Sequence, residues 1–350
     1  MTARALSLLF LGALAVAGCR IAAFFPRFFA RTVELGFQDI ARVPHKLENP
    51  VRPDAELAVL WVGHATVLVQ IGDRFVLTDP VFTDTVGQVS KRLVEPGIDA
   101  ENLPPLDVVL VSHMHFDHQS LGSLERIEPK VRDLIVPQRG LVYVPGFSFR
   151  TWELATFESW ERDGLRVTAV PVRHNGFRYG IDGDWMTTSY TGYVVEYAGR
   201  SVYFGGDTAT TRGFRATAER FPSLDLAILP IAPIHPREFM CRAHIDPEQA
   251  VQAFRELGAR YLVPMHFDTF VNSFDEVGEA PRELTRVARA SGVADRLVLL
   301  RIGEQRVLER VQRTSGSASV QSRSKTATTG KWSELPAATT RAESGSSPRP

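Results

Sequence analysis

Short apolar runs separated by polar turns dominate the chain between residues 57 and 302. Runs of this kind, ended by glycine, proline or aspartate, are typical of short strands. The pattern predicts strands over 57–61, 66–71, 75–77, 106–111, 134–136, 165–170, 192–197, 201–204, 224–229, 261–263 and 297–302.

A helical pattern interrupts the strands at a few places. Asp246 stands before Pro247, which favours a helix with aspartate as its N-cap and proline in its first turn. Val251, Phe254 and Leu257 then supply one apolar face. Helices are also predicted over 118–127 and 281–290. Because the helices come late in each strand-rich half, we expect two sheets packed face to face with helices outside.

Composition indicates an ordinary folded protein. The chain has 350 residues, of which 44% are hydrophobic and 23% charged, enough for a sizeable core. It carries 40 basic and 40 acidic residues, so its formal net charge is zero. Nucleic-acid binding normally needs a basic face, and we therefore expect no nucleic-acid partner. The two cysteines cannot form a disulfide framework.

The N-terminus has the pattern of an export signal. Arg4 precedes an apolar stretch over 5–17 that is too short to span a bilayer comfortably. The stretch ends in Val16-Ala17-Gly18-Cys19, which resembles the bacterial lipobox. The resemblance implies cleavage before Cys19, lipidation of Cys19 and attachment to a membrane of the bacterial cell envelope, on its periplasmic or outer-membrane side. The alternative is an uncleaved apolar anchor.

Four regions follow from these patterns. They are a signal peptide over 1–18, a lipidated tether or N-terminal arm over 19–55, the main folded domain over 56–311 and a disordered tail over 312–350. The tail is rich in serine, threonine and alanine and has too few apolar residues to form a core. The phenylalanine-rich segment 24–29 fits either a membrane headgroup layer or packing against the domain, and both interpretations stay open.

Metal-ligand side chains crowd the end of the predicted strand 106–111. His113, His115, Asp117 and His118 stand within six residues. Alternate side chains of a strand point to one side, so His113 and His115 can converge on one ion. Asp117 and His118 lie past the strand end, where a turn can direct them at a second ion. Zinc takes imidazole nitrogen and carboxylate oxygen readily.

Further ligand-type residues follow other predicted strands. His174 comes after strand 165–170, Asp207 follows two glycines after 201–204, and His266 follows 261–263. His244 precedes the helix that begins at Pro247, and His64 lies in an early turn. Taken singly, each also fits a structural histidine or a turn aspartate.

Together and in this order, these residues resemble the metallo-β-lactamase superfamily, whose His-x-His-x-Asp-His motif matches residues 113–118. The resemblance implies an α/β (α+β) fold, a four-layer αββα sandwich. It implies two zinc ions, although other divalent metals are compatible. One ion would bind His113, His115 and His174; the other would bind Asp117, His118 and His266; and Asp207 would bridge them.

Five segments narrow the resemblance to the branch that holds N-acyl-phosphatidylethanolamine phospholipase D: 61–66, 77–82, 103–107, 205–208 and 244–250. The branch implies hydrolysis of a phosphodiester by a hydroxide that bridges two metal ions. It implies catalytic roles for Asp117 and His244, and supporting positions for His64 and Asp79 that orient the ligands. The chain departs from the branch at Met114 and Phe116, where Asn and Tyr are usual.

The expected function is a membrane-tethered di-zinc hydrolase acting on a phosphodiester of an (N-acyl)phospholipid. Asp207 occupies the position where the commonest true β-lactamases have cysteine, which argues against antibiotic hydrolysis. One alternative is a metal-dependent lactonase or ester hydrolase that resembles ascorbate-6-phosphate lactonase, which has a segment similar to 63–66. Another is a non-enzymatic, metal-binding lipoprotein of the envelope.

Overall fold

The fold is known from a computed structural model. It describes residues 26, 28–34, 37–44, 46–87, 90–182, 187–271 and 273–311. Among these residues, no helix combines the length and the apolar character needed to cross a bilayer. The predicted signal peptide, Cys19 and the predicted tail over 312–350 lie outside the described residues and stay predictions. The four region boundaries stay predictions as well.

Strands supply most of the regular structure. In chain order they are β1 (Ala55–Gly63), β2 (Thr66–Ile71), β3 (Arg74–Thr78), β4 (Thr85–Val86), β5 (Ser90–Lys91), β6 (Val108–Leu110), β7 (Asp133–Pro137), β8 (Arg150–Leu154), β9 (Ser159–Arg162), β10 (Leu165–Val170), β11 (Gly192–Tyr197), β12 (Arg200–Phe204), β13 (Leu226–Pro230), β14 (Tyr261–Met265) and β15 (Gln305–Arg310). The helices are α1 (Leu121–Ile127), α2 (Gly213–Arg220), α3 (Arg237–Met240), α4 (Pro247–Leu257) and α5 (Glu279–Ala290). Residues 28–34 are also helical.

The strands form two large sheets. The first has the order β15-β1-β2-β3-β6-β7-β8, and the second has the order β14-β13-β12-β11-β10-β9. In each sheet an antiparallel half adjoins a parallel half, because β3, β6, β7 and β8 are parallel, as are β12, β13 and β14. Strands β4 and β5 form a separate small hairpin.

Alternation along β1 shows how the layers stack. Leu57, Val59 and Trp61 belong to the core between the sheets, which also contains Val167 of β10. Leu60 and Val62, on the opposite face of β1, belong to a second core together with Leu124 and Ile127 of α1. The first sheet is therefore buried on both faces.

Helix α4 covers the outer face of the second sheet. Val251, Phe254 and Leu257 of this helix are buried, as their spacing predicts. The helix begins with the predicted cap: Asp246 accepts a hydrogen bond from the Gln249 amide, and Pro247 occupies the first turn. The layer order is helix, sheet, sheet, helix, and the predicted α/β class with its αββα layering is confirmed.

One predicted strand is wrong and several strands were missed. Residues 297–302 form no strand; the Val298 amide instead donates to the Leu262 carbonyl at the end of the second sheet. The edge beside β1 is taken by β15, whose alternating charged residues hid it from a search for apolar runs. Strands β8 and β9 were missed for the same reason, since both are rich in charged residues.

Candidate metal centre

The seven predicted ligands all lie at one edge of the paired sheets. Strands β3 and β6 end at this edge of the first sheet, and β10, β12 and β14 end at the same edge of the second. An antiparallel bridge between His113 and Tyr190, and the hydrogen bond from Thr191 N to Ser112 O, join the two sheets there. The loops after these strands therefore meet over one cleft.

The first group of ligand-type atoms comes from three histidines. The nitrogens of His113, His115 and His174 lie within 4.8 Å of one another. His113 Nε2 is 2.8 Å from His115 Nδ1, and His174 Nε2 is 3.4 Å from the same atom. Two strand ends and one loop thus bring three imidazoles to one point, as the resemblance implied.

The second group lies beside the first. Atoms of His64, Asp117, His118 and His266 are also within 4.8 Å of one another. His118 Nε2 and His266 Nε2 face each other at 3.2 Å, and His64 Nε2 is 3.0 Å from Asp117 Oδ2. His64 is therefore close enough to be a ligand itself, whereas the sequence suggested only a supporting position.

Asp207 lies between the two groups. Its Oδ2 is 3.3 Å from His118 Nε2, 3.0 Å from His266 Nε2 and 3.9 Å from His174 Nε2. The carboxylate is buried, and its Oδ1 has no hydrogen-bond partner among the described residues. A buried carboxylate with a free oxygen between two sets of imidazoles is suited to bridging two cations.

Partners outside the cluster fix which imidazole nitrogen carries the proton. His174 Nδ1 lies 3.0 Å from the Ala243 carbonyl, and His266 Nδ1 lies 3.1 Å from the Ala232 carbonyl. A carbonyl only accepts, so both Nδ1 atoms donate. In its neutral form, each ring then presents an unprotonated Nε2 to the cleft, which is the form that binds a metal.

Asp79 sets the other two rings in the same way. Its Oδ2 accepts from His118 Nδ1 at 2.6 Å and from the Ser112 hydroxyl at 2.6 Å. Because the Ser112 proton goes to Asp79, the Ser112 oxygen is left to accept from His113 Nδ1, 3.0 Å away. In their neutral forms, His113 and His118 therefore also direct an unprotonated Nε2 inward.

The buried carboxylates of the cluster favour a positive charge close to them. Burial holds the pKa of His113 and of His174 well below the ordinary value, which keeps both rings neutral. Burial also lowers the pKa of His118, but the carboxylates of Asp207 and Asp117 outweigh it and raise that pKa well above the ordinary value. For Asp207 itself, burial raises the pKa, and the nearby histidines outweigh burial and hold it well below the ordinary value.

These observations fit divalent cations. His118 Nε2 and His266 Nε2 face each other at 3.2 Å beside the carboxylate of Asp207, an arrangement that calls for a proton or a metal ion between the two nitrogens. His115 Nε2 and Asp207 Oδ1 are buried and lack partners among the described residues. The donor set, imidazole with carboxylate, is one that zinc and related metals take. The assignment of individual ligands stays a prediction.

His244 lies at the rim of the cluster. Its Nδ1 is 3.5 Å from Asp207 Oδ2, and its ring centroid is 5.2 Å from that of His174. Burial lowers the pKa of His244 to about 4, so the ring is neutral at pH 7. Asp117 is also near the opening, with 26% of its side chain exposed. The two residues predicted to be catalytic are thus among the more accessible members of the cluster.

The sequence interpretation missed several residues that shape the centre. Ser112 hydrogen-bonds both Asp79 and His113 and so links the two side chains. The Thr269 hydroxyl accepts from the His64 amide at 2.7 Å. The carbonyls of Ala232 and Ala243 orient the rings of His266 and His174. The backbone carbonyls could not be predicted from the sequence, because every residue has one. Ser112 could have been found, since it directly precedes His113 at the end of a strand.

Strained backbone marks the same cleft. His64, Asp79 and His266 adopt positive φ angles of 53°, 33° and 69°, values that residues with a side chain rarely take. Such strain persists only where surrounding contacts fix it, and it clusters at functional sites. All three residues are buried and hydrogen-bonded within the cluster or its support.

Comparison with known proteins shows the family. The model of the β-lactamase superfamily domain matches residues 74–267. An uncharacterized protein of Mycobacterium tuberculosis is 32% identical over 272 residues, which are 72% of this chain and 70% of that protein.

A relative in Caenorhabditis elegans, named N-acyl-phosphatidylethanolamine-hydrolyzing phospholipase D 1, is 33% identical over 250 residues, or 66% of this chain and 69% of that protein. Among solved structures, the metallo hydrolase Igni18 of Ignicoccus hospitalis has a TM-score of 0.54 at 20% identity, covering 71% of this chain and 97% of that one. At that identity the likeness shows the fold alone. The chain belongs to the metallo-β-lactamase superfamily of metal-dependent hydrolases.

Proposed function

We propose that this protein is a two-metal phosphodiesterase whose substrate is a phospholipid and which is held at the cell envelope through Cys19. The observation that carries the proposal is the position of Asp207 between two groups of inward-facing donors. His113, His115 and His174 would hold one metal ion, and Asp117, His118 and His266 would hold the other. Zinc is the proposed metal.

Divalent ions bound at such a pair of sites lower the pKa of water and polarise phosphoryl oxygens, which is the chemistry that ester hydrolysis needs. The residues of the chain supply position and charge. Asp79 and the two carbonyls hold the rings in one tautomer, so the donors are preorganised before substrate arrives. Burial of His113, His118 and Asp207 excludes water from the floor of the cleft.

Substrate would enter from the side of Asp117 and His244, which are the less buried members of the cluster. His244 would donate a hydrogen bond from its neutral ring to a phosphoryl oxygen, because its Nδ1 lacks a hydrogen-bond partner among the described residues. Its position is held from behind by Arg237, which donates to the His244 carbonyl at 3.2 Å.

Three further points support a phospholipid over other phosphodiesters. The relative in Caenorhabditis elegans is named for hydrolysis of N-acyl-phosphatidylethanolamine and aligns with 66% of this chain. A lipid anchor at Cys19, expected from the sequence, would bring the cleft to its substrate. The formal net charge of zero disfavours nucleic acid as the phosphodiester.

The decisive experiment uses the full chain in detergent, loaded with Zn²⁺ and incubated with vesicles of phosphatidylethanolamine, its N-acyl derivative and phosphatidylcholine. Mass spectrometry should find phosphatidic acid and a free headgroup. Asp207→Asn should abolish the reaction, whereas Asp225→Asn, which alters a carboxylate just before β13 at the end of the strand remote from the cleft, should not. Intact lipid, with hydrolysis of a phosphorylated lactone instead, would favour the lactonase alternative.

The role of His244 is tested separately. His244→Gln should lower the turnover number about 10²- to 10³-fold, the range of a misplaced hydrogen-bond donor to developing charge, and should leave the metal content unchanged. His235→Gln is the matched control, because His235 is half exposed and bonds Glu279 outside the cluster. An unchanged turnover number in His244→Gln would exclude a catalytic role for this residue.

A further inference from the structure

Arg178 is a buried arginine that contacts the metal-binding loop from behind. Only 7% of the residue is exposed, and its Nη1 donates to the carbonyl of Met114 at 2.9 Å and to that of Gln119 at 3.0 Å. It also donates to Gln119 Oε1 at 2.9 Å. These acceptors stand immediately before His115 and immediately after His118.

The loop between these acceptors is also held by Asp79, which accepts from His118 Nδ1, and by the Tyr143 carbonyl, which accepts from Gln119 Nε2. It lies between the end of β6 at Leu110 and the start of α1 at Leu121, and it belongs to neither. Inside the loop, the amides of His118 and Gln119 both donate to the His115 carbonyl, which makes a single turn. Arg178 therefore closes both ends of the segment that carries His115, Asp117 and His118.

Arg178 also belongs to the segment that carries His174, four residues earlier. Asp182 fixes this segment, because its carboxylate accepts from the Arg178 amide at 2.8 Å and from the Tyr179 amide at 2.9 Å. The Tyr143 hydroxyl donates to the same carboxylate. One side chain thus links a ligand of the first group to ligands of both groups on the neighbouring loop.

The contacts of the guanidinium are unusual for a structural arginine. Within the described part of the chain it makes no ion pair, and its Nε lacks a hydrogen-bond partner. Its charge is instead placed 4.2 Å from the centre of the Phe116 ring, where it makes a cation–π contact with the same loop. The Tyr179 ring lies 6.0 Å away on its own segment. A buried cation without an ion pair is costly to desolvate, so its contacts to the carbonyls and the ring of the loop are the main interactions that offset its burial.

We propose that Arg178 is a positioning residue that sets the geometry of the metal centre by clamping loop 114–119 to segment 174–182. The inference rests on the metal site of the proposed function. Arg178 itself touches neither metal nor substrate. It acts through the placement of His115, Asp117 and His118, much as a partner behind a ligand does.

The test compares metal binding in Arg178→Met, Arg178→Lys and Arg162→Met. Arg162 is a second poorly exposed arginine, but it bonds Asp133 at the far edge of the sheets. Each variant is purified without metal, checked by its melting temperature, titrated with Zn²⁺ against a competing chelator, and loaded with Co²⁺ for its visible absorption spectrum.

Arg178→Met should bind Zn²⁺ about 10- to 100-fold more weakly, as when an outer partner of a ligand is lost, and should change the Co²⁺ spectrum. Arg178→Lys retains the charge and one donor, so it should restore part of the affinity. Arg162→Met should melt at a lower temperature with unchanged affinity and an unchanged Co²⁺ spectrum.

Wild-type affinity and spectrum in Arg178→Met would overturn the proposal. If Arg178→Met does not fold, Arg178→Lys decides, and wild-type affinity in that variant would overturn it. Should wild-type protein bind metal without hydrolysing any phospholipid, the substrate proposal fails, and the clamp is still judged from the metal affinities.

Discussion

The carboxylate of Asp79 and the imidazole of His118 form a hydrogen bond of 2.6 Å between two fully buried side chains. The same carboxylate accepts from the Ser112 amide and hydroxyl, and the Ser112 oxygen lies 3.0 Å from His113 Nδ1. A single buried carboxylate therefore orients one histidine of each group. It does so from a strained backbone position directly after β3.

Asp79→Asn removes this control while preserving the size of the side chain. The amide is neutral and a weaker acceptor, so His118 loses the partner that keeps its proton on Nδ1. We expect Zn²⁺ affinity to fall about 10- to 100-fold, measured by competition with a chelating dye.

Asp107→Asn is the control for Asp79→Asn. Asp107 also accepts from a backbone amide, that of Phe75 at 2.9 Å, but it lies before β6, away from the cleft. That variant should lose some stability and no metal affinity. Equal metal affinity in both variants would show that Asp79 does not orient the ligands.

Removal of metal should destabilise the native protein. A ligand that binds only the folded state stabilises it by about 4 kcal/mol when its free concentration is a thousand times its Kd. We expect the melting temperature to fall by several degrees with chelator and to recover when Zn²⁺ is added back. A melting temperature that changes neither with the chelator nor with added Zn²⁺ would contradict the presence of a metal ion in this cluster.

Most of the fold could be predicted from the sequence, because apolar runs indicate buried strands. The predicted strands 66–71, 165–170 and 192–197 have the bounds found in the structure. Strands with exposed, charged faces escaped the same search: β8, β9 and β15 lie at sheet edges, where one face meets water and the apolar signal disappears. Edge strands are therefore the part of this fold that periodicity predicts least well.

The candidate site could be predicted from the sequence for a different reason. Imidazoles and carboxylates at strand ends have few structural uses, so His113, Asp207 and His266 could be singled out in the sequence and lie together in the structure. The supports were harder to predict, because the Ala232 and Ala243 carbonyls belong to residues without a functional group. Arg178 was hidden because an arginine in a loop is ordinarily solvent-exposed.

Gly206 should not tolerate a side chain. Its φ is +54°, and a Cβ built on it would stand 2.4 Å from Ser112 Cβ and 2.7 Å from Ser112 Oγ. Gly206→Ala should therefore lower the free energy of unfolding by roughly 1–3 kcal/mol through overpacking, with about 1 kcal/mol more from the left-handed backbone. Displacement of Ser112 should also weaken Zn²⁺ binding, because Ser112 supports His113.

Gly199→Ala separates backbone strain from the clash in Gly206→Ala. Gly199 has a φ of +75°, but no described atom lies within 4 Å of the position of its Cβ. This variant should lose only about 1 kcal/mol of stability, measured by urea unfolding, and should bind Zn²⁺ normally. A similar loss of metal affinity in both variants would rule out the contact with Ser112 as the cause.

Asp133 should stabilise the fold without affecting the metal centre. It begins β7, is fully buried, and accepts from Arg162 of β9 and from Trp152 Nε1 of β8 at 2.8 Å. These strands lie at the edges of the two different sheets, so the carboxylate joins the sheets far from the cleft. Breaking a buried ion pair by removing one partner costs about 3–5 kcal/mol. Because Arg162 is partly exposed, we expect Asp133→Asn to lower the free energy of unfolding by about 3 kcal/mol.

The neighbouring surface pair provides the control for Asp133→Asn. Arg132 and Asp163 are 2.7 Å apart, yet about half of each side chain is exposed, so Asp163→Asn should cost less than about 1 kcal/mol. Urea unfolding of the metal-free proteins measures both effects, and Zn²⁺ titration should give wild-type affinity for both variants. If Asp133→Asn weakened metal binding, the two ends of the sandwich would be coupled, and the separation between fold and site inferred from the distance of Asp133 would be wrong.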